Sequence, residues 1–322
     1  MMPVIKNSEC NLIDITNRYQ EQFDELIPDV EIPQEDYIEV KRLEKIRTER
    51  QGMDSLPEEI FNELLESCFQ QNTYKGFRNA LLFTLQANWG TRCSDTRIVK
   101  RIDFINENGK FRESCLFSEL KTGKPRTMYI NKAIRMCVLM VLWSRDIKPL
   151  DYLFVGSNYK KKINPKTGKV LRGEYNQIIY ELDCFGNKIP EPLSYPQIRE
   201  ILSNKLINDL GIQLKNHKDC VDGESKYATH SLRKLYANKV EQLFQEIYGE
   251  EGKVKSAAME FLHWDLNHSN ISITSRYCGD FEAVKKEINM NMNLGYDVIK
   301  KYYEIEREKY IQRGSSNVNC KR

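Results

Sequence analysis

The sequence lacks several features that point to particular classes of protein. None of its 9 cysteines lies in a Cys-x-x-Cys pair, which argues against a zinc ribbon and against the disulfide framework of a secreted domain. No apolar run approaches the roughly 18 residues that cross a bilayer, and the first residues lack the basic-then-apolar pattern of a signal peptide. We therefore expect a cytoplasmic protein with reduced thiols and no membrane partner.

Charge of neither sign dominates the whole chain, whose formal net charge is only +3. Its distribution is nevertheless uneven. Residues 1–50 hold 7 Lys and Arg against 12 Asp and Glu, whereas the remaining residues hold 42 against 34. A modestly basic main part is typical of a surface that binds phosphates. The acidic start favours contact with a protein partner instead.

Helical spacing of apolar residues predominates and predicts a mainly α fold with a small antiparallel β-sheet, in the α+β class. The run Asp54–Glu59 is typical of a helix start and marks a boundary. Glycine-containing turns are predicted at 121–125 and 165–169, and the second lies in a basic loop over 156–192. We divide the chain into a short acidic segment, a main domain and a helical tail, over residues 1–54, 55–280 and 281–322.

Separated segments of the main domain carry residue types that suit one kind of chemistry. They are Gly90-Thr91-Arg92-Cys93-Ser94-Asp95, the turn with Lys121 and Lys124, Thr229–Arg233, and Leu266–Tyr277, in which His268 precedes Tyr277 by nine residues. Arginine can grip two phosphate oxygens, and histidine can share a proton near neutral pH. A tyrosine hydroxyl can attack phosphorus where its anion is stabilised. If these groups converge, they provide what metal-free attack on a phosphodiester requires.

In order and spacing, these segments resemble the catalytic domain of the tyrosine recombinase (phage integrase) family, over about residues 55–280. The resemblance implies double-stranded DNA as the ligand and cleavage through a 3′-phosphotyrosyl intermediate, without a cofactor. It implies six catalytic residues, which are Arg92, Lys121, His230, Arg233, His268 and Tyr277. The turn lysine of this family is thought to protonate the leaving 5′ oxygen, and Lys124 is an alternative to Lys121 for that role.

Further basic residues are predicted to contact DNA. They are Lys124, Arg126, Lys160, Lys161, Lys162, Lys234 and Arg276. We also expect a homo-oligomer on DNA, a dimer or a tetramer, because recombination in this family needs four protomers on two duplexes. The helical tail could dock on a neighbouring protomer or pack on its own domain, and its apolar stripe does not distinguish the two.

Departures from the family's pattern keep a second function open. Asn267 stands where the family has glycine before the histidine, and the short acidic segment 1–54 stands where it has a DNA-clamping domain. The full set of residue types favours an integrase or recombinase of a phage or other mobile element. The departures favour a regulator, such as a phage repressor, that keeps the fold without exchanging strands. A type IB topoisomerase shares the residue types, but the spacing from His268 to Tyr277 suits recombinases better.

Overall fold

The computed structural model describes residues 53–183, 186–214, 226–249, 252–266 and 281–319, which belong to the second of two units of the chain, Met53–Arg322. All but the last two residues of the predicted acidic segment 1–54 therefore lie outside the described residues. Within those residues, no helix is both long and apolar enough to cross a membrane.

Helices form most of this unit, and two short sheets complete it. The helices are α1 Glu58–Gln70, α2 Tyr74–Trp89, α3 Cys93–Thr96, α4 Arg101–Phe104, α5 Lys132–Ser144, α6 Tyr195–Asn204, α7 Thr229–Tyr248, α8 Gly252–Asp265, α9 Phe281–Asn291 and α10 Tyr296–Asn319. The sheets are antiparallel pairs, β1 Ser114–Ser118 with β2 Pro125–Tyr129, and β3 Val155–Tyr159 with β4 Pro190–Pro192. The predicted mainly α architecture is confirmed over the described residues, which contain two small antiparallel sheets where the sequence predicted one.

Helix α2 forms the centre of the core, because every residue from Gly76 to Trp89 is buried and α1, α5 and α7 pack around it. Thr73 caps its start, where the side-chain hydroxyl accepts a hydrogen bond from the Gly76 N–H at 3.2 Å. Gly90 ends it in a left-handed conformation, with φ 58°. A Cβ at Gly90 would lie 2.3 Å from Cδ1 of Tyr236 on α7, so only glycine permits this close turn. The turn leads directly to Arg92.

The C-terminal region is two helices, whereas the apolar spacing predicts a single helix over 282–313. Gly295, with φ 75°, separates α9 from α10. Helix α10 packs on α5 and α1 of the same chain, and the Tyr302 ring stacks on Phe69 at 5.1 Å while Tyr303 stacks on Trp143 at 5.4 Å. The described part of the tail therefore packs on its own domain, and a contact with a second protomer stays a prediction.

Residues 155–192 form a β-structured arm, so the predicted loop is wrong here. Isolated antiparallel bridges extend the β3–β4 pair, and they join Lys161 with Tyr180 and Ile163 with Val170. The predicted turn lies at the tip, where the Gly168 N–H donates to the carbonyl of Asn164 at 2.9 Å. Because residues opposite each other share a face and successive residues alternate, Lys161 lies on the face opposite to that of its two lysine neighbours.

Candidate functional site

Arg92 lies directly after the turn that ends α2, at the start of α3. Its side chain is 20% exposed, and Nη1 donates to Oε2 of Glu119 at 2.7 Å. The same nitrogen lies 4.0 Å from Oδ2 of Asp95. One edge of the guanidinium is therefore held by protein carboxylates while part of the group still reaches solvent.

Arg233 is buried in the first turns of α7 and is held by backbone carbonyls instead of by carboxylates. Its Nη1 donates to the carbonyl of Gly90 at 2.9 Å, and its Nη2 donates to that of Leu266 at 2.8 Å. Within the described part of the chain, no carboxylate lies within 4.0 Å of this guanidinium. Burial, followed by the positive charges of Arg126 and Arg92, lowers its pKa to about 10. Arg233 is thus a cation that a bound anion would stabilise.

His230 precedes Arg233 by three residues on α7, and its side chain is exposed. Partial loss of water around the ring, and then the positive charges of Arg233 and Arg92, lower the pKa of the imidazole from its ordinary 6.5. The imidazole is therefore mainly neutral at about pH 7. The structure brings Arg92, His230 and Arg233 together from α3 and α7, although these helices are far apart in the sequence.

The two candidate lysines lie on the turn that joins β1 to β2. Both Lys121 and Lys124 are exposed, and no hydrogen bond or ion pair of either ammonium group is found among the described residues. The turn closes because the Gly123 N–H donates to the carbonyl of Glu119 at 2.8 Å, with Gly123 at φ 68°. Since Glu119 also binds Arg92, the turn lies beside the arginine.

Arg126 does not face solvent, and its predicted contact with DNA is therefore wrong. Its residue is 3% exposed, and the guanidinium pairs with Oε1 of Glu119 at 3.3 Å and with Oδ2 of Asp265 at 3.1 Å. Asp265 also pairs with Lys285 of α9 at 2.8 Å and accepts a hydrogen bond from the Tyr236 hydroxyl at 2.9 Å. Arg126 is part of a buried charge network that connects β2, α7, α8 and α9.

The two carboxylates of this network are ionised in the fold. Burial alone would raise the pKa of Asp265, but Arg126 and Lys285 hold it below its ordinary value. Burial likewise opposes ionisation of Glu119, whereas the Thr122 hydroxyl and Arg92 lower its pKa on balance. The network therefore brings negative charge close to the candidate arginines and limits the repulsion among them.

Sequence reasoning missed Glu119, Asp265 and Lys285. Each is a single charged residue in a chain that is 30% charged, and none belongs to a recognisable spacing. A weak signal was available, since Glu119 precedes Lys121 by two residues and Asp265 precedes His268 by three. Only their burial distinguishes them from ordinary surface charges.

The other basic residues predicted to contact DNA have different environments. Lys234 is exposed beside His230, whose imidazole it affects electrostatically. On the arm, Lys160 pairs with Glu181 at 2.6 Å. Lys160 and Lys162 lie on one face of the arm and Lys161 on the other, and contact of the three lysines with DNA stays a prediction.

Three predicted site residues, His268, Arg276 and Tyr277, lie outside the described residues. The described positions on both sides of them are tied to the site. Leu266 accepts a hydrogen bond from Arg233, and α9 begins at Phe281 and carries Lys285 to Asp265. In the described ranges, no group of three His, Cys, Asp or Glu side chains is placed to hold a metal ion.

Comparisons with known proteins add little to this geometry. The sequence matches no family model and no curated protein. A solved structure to which the chain is similar is the FLP recombinase–Holliday junction complex, with a TM-score of 0.36 and 14% identity over 92% of this chain. The chain spans 65% of the length of that recombinase chain. A similarity this low does not establish a shared fold, so the site depends on its own geometry.

Proposed function

We propose that this chain binds double-stranded DNA and cuts and rejoins it through Tyr277, as a site-specific tyrosine recombinase does. The observation that carries the proposal is the convergence of Arg92, Arg233 and His230 beside a turn with two exposed lysines. A single phosphodiester has one negative charge and two non-bridging oxygens, which suit two guanidinium groups. A recombinase-like catalytic domain is the fold that this arrangement favours.

The two arginines suit different parts of phosphate binding. Arg233 is fixed by two carbonyls and has no carboxylate partner among the described residues, so its charge is available to a phosphate. Arg92 has a solvent-accessible edge through which DNA can approach. Donors that are already oriented stabilise the negative charge that develops on the phosphate oxygens without a cost of reorganisation.

The proposed reaction is a transesterification in which atoms and charges balance. The Tyr277 hydroxyl oxygen forms a bond to phosphorus as the bond to the 5′ oxygen breaks, and the phenolic proton passes to neutral His230, which acts as the base. The leaving 5′ oxygen takes a proton from the turn lysine. In the second step, a 5′-hydroxyl of a partner strand attacks the phosphotyrosine and releases Tyr277.

Chain connectivity supports the assignment of the residues that the described ranges omit. His268 follows Leu266 by two residues, so extended backbone keeps their Cα atoms within about 7 Å. Arg233 already binds the carbonyl of Leu266. In the proposed mechanism, the His268 imidazole donates a hydrogen bond to the phosphate that the arginines bind, and this short connection to Leu266 is compatible with that role.

A covalent-capture experiment tests this function and recovers the DNA site in the same step. Purified full-length protein is incubated with a pool of nicked duplexes of random sequence, in which cleavage releases a short strand and traps the enzyme. We expect a protein–DNA adduct on a denaturing gel with the native chain and none with Tyr277→Phe. Tyr175→Phe is the matched control, because that tyrosine is 86% exposed on the arm and should leave the adduct unchanged.

One observation favours the second candidate, a regulator of the same fold. Arg92 is already paired with Glu119 at 2.7 Å, and a phosphate must compete with that carboxylate. The regulator would be established if the native chain selects one duplex from the same pool in a native-gel binding assay but forms no covalent adduct with it. Relaxation of supercoiled plasmid regardless of sequence would instead indicate a topoisomerase. The predicted dimer or tetramer is tested by sedimentation of the complex with the selected duplex.

A further inference from the structure

A single carboxylate oxygen joins the phosphate-binding arginine to the lysine-bearing turn. Oε2 of Glu119 accepts one hydrogen bond from Nη1 of Arg92 at 2.7 Å and another from Oγ1 of Thr122 at 2.8 Å. The Glu119 side chain is fully buried. Charge-assisted hydrogen bonds from oriented donors are among the stronger ones in proteins, so this bridge resists displacement of the turn.

A second contact connects the same turn to the helix that follows Arg92. The backbone N–H of Leu120 donates to Oδ1 of Asp95 at 3.0 Å, and the Asp95 side chain is fully buried. Lys121 therefore lies between two residues, Leu120 and Thr122, that are both anchored beside Arg92. Lys124 is instead held only within the hairpin, where its carbonyl accepts from the Glu119 N–H at 3.0 Å and its own N–H donates to Oγ1 of Thr122 at 3.3 Å.

We infer that Glu119 is a positioning residue that sets Lys121, and not Lys124, as the proton donor to the leaving 5′ oxygen. The inference rests on the proposed function. As the P–O5′ bond breaks, the oxygen takes a proton from Nζ of Lys121 and leaves a neutral amine, and rejoining returns that proton. Proton transfer needs Nζ within about 3 Å of the oxygen. A displacement of about 1 Å can slow such a step roughly 100-fold.

Replacement of the leaving oxygen by sulfur separates this role from a general structural one. A thiol has a pKa of about 8.5, whereas water, which resembles an alcohol in this respect, has about 15.7. A 5′-thiolate therefore leaves without a proton donor. A variant that only misplaces the donor should recover on a 5′-thio substrate, whereas a variant that weakens phosphate binding should not.

The experiment measures single-turnover cleavage by the full-length protein of two suicide duplexes that differ only in a bridging 5′ oxygen or sulfur. Their sequence is the one recovered by covalent capture. We expect Glu119→Gln and Lys121→Ala to slow cleavage of the oxygen duplex about 100-fold and to approach the native rate on the sulfur duplex. Lys124→Ala should keep the native ratio of the oxygen rate to the sulfur rate, and Arg92→Lys should be slow on both duplexes.

A second variant tests the same Glu119 bridge at its other end, on the turn, where a substitution does not disturb folding. Thr122 is exposed, so Thr122→Val removes the hydroxyl that binds Glu119 without changing the core. It should show the same recovery on sulfur from a smaller defect on oxygen, of about 10-fold, because Glu119 loses the hydroxyl but keeps its hydrogen bond from Arg92. The variant also removes the acceptor of the Lys124 N–H, which lies 3.3 Å away. Ser118→Ala, on the same hairpin, is the control and should match the native protein on both duplexes.

The outcomes separate this inference from the proposed function. If the native chain forms no adduct on either duplex, the proposed function fails. If the native chain cleaves but Glu119→Gln is equally slow on oxygen and sulfur, or Thr122→Val is unaffected on oxygen, Glu119 does not position the donor. Recovery on sulfur by Lys124→Ala instead of Lys121→Ala would also overturn the inference. If Glu119→Gln no longer unfolds cooperatively on heating, the rates of Thr122→Val decide whether Glu119 positions the donor.

Discussion

Asp265 offers the sharpest test of the buried charge network. Its carboxylate lies 3.1 Å from Nη2 of Arg126 and 2.8 Å from Nζ of Lys285, and it accepts a hydrogen bond from Tyr236. Both cations are buried, with residue exposures of 3% and 2%. Asp265→Asn keeps the shape of the side chain and removes only its charge. Among the residues that the structure describes, Lys285 then has no ion-pair partner and Arg126 keeps only Glu119.

The expected loss follows from the burial of the two cations. Removal of one partner of a buried pair typically costs about 3–5 kcal/mol, because the remaining charge stays away from water. Asparagine still accepts the hydrogen bond from Tyr236, so we expect about 3 kcal/mol for Asp265→Asn at neutral pH. For a domain of this size, that loss corresponds to a fall in melting temperature of roughly 6–12 °C.

The loss of stability in Asp265→Asn also depends on pH. The pKa of Asp265 in the fold is below its ordinary value of 3.8. A carboxyl group of this kind contributes its full stabilisation above the unfolded pKa and loses it as pH falls through the folded pKa. The difference in free energy of unfolding between native and variant should therefore be constant from about pH 7 to about pH 5 and shrink below 3.8.

Equilibrium urea unfolding followed by circular dichroism measures this difference at each pH. The control is Glu113→Gln, because Glu113 is 61% exposed and pairs with Lys286 at the surface. Solvent screens such a pair, so the control should lose far less stability. A loss below about 1 kcal/mol for Asp265→Asn at neutral pH would refute the reasoning, since buried cations would then tolerate the missing carboxylate.

Three further predictions concern the site itself. Gly90→Ala should lower the melting temperature and impair cleavage, because φ is 58° and the new Cβ would lie 2.3 Å from a ring atom of Tyr236; thermal unfolding measures the first effect. Arg233→Lys should keep the fold but slow cleavage about 100-fold or more, because an ammonium group cannot bind two carbonyls and the phosphate in the same geometry. Single-turnover cleavage rates measure this effect. If His230 acts as a base, the cleavage rate should fall as pH drops below 6.5, because the pKa of the imidazole lies below that value and a protonated imidazole cannot accept a proton. His230→Asn should remove this inflection from the pH–rate profile.

Much of the helical architecture was predictable because local periodicity reports which face of a helix is buried. Apolar spacing predicts helices from Ile60 to Phe69, over 74–88 and over 132–145, and α1, α2 and α5 lie close to these ranges. The β1–β2 turn lies where its Lys-Thr-Gly-Lys sequence indicates. The break at Gly295 was missed because the apolar stripe continues across it. The arm over 155–192 was missed because glycine, proline and lysine mask its short paired segments.

The same distinction between local pattern and tertiary packing applies to the candidate site. The sequence by itself determined the residue types suited to phosphate chemistry, since the spacing of His230 and Arg233 on one helix is a local property. Only the tertiary structure decided that Arg126 is buried and not available to DNA, and that Glu119 and Asp265 neutralise the cations around it. Burial and charge pairing depend on side chains from distant segments, and the spacing of residues along one segment contains no information about them.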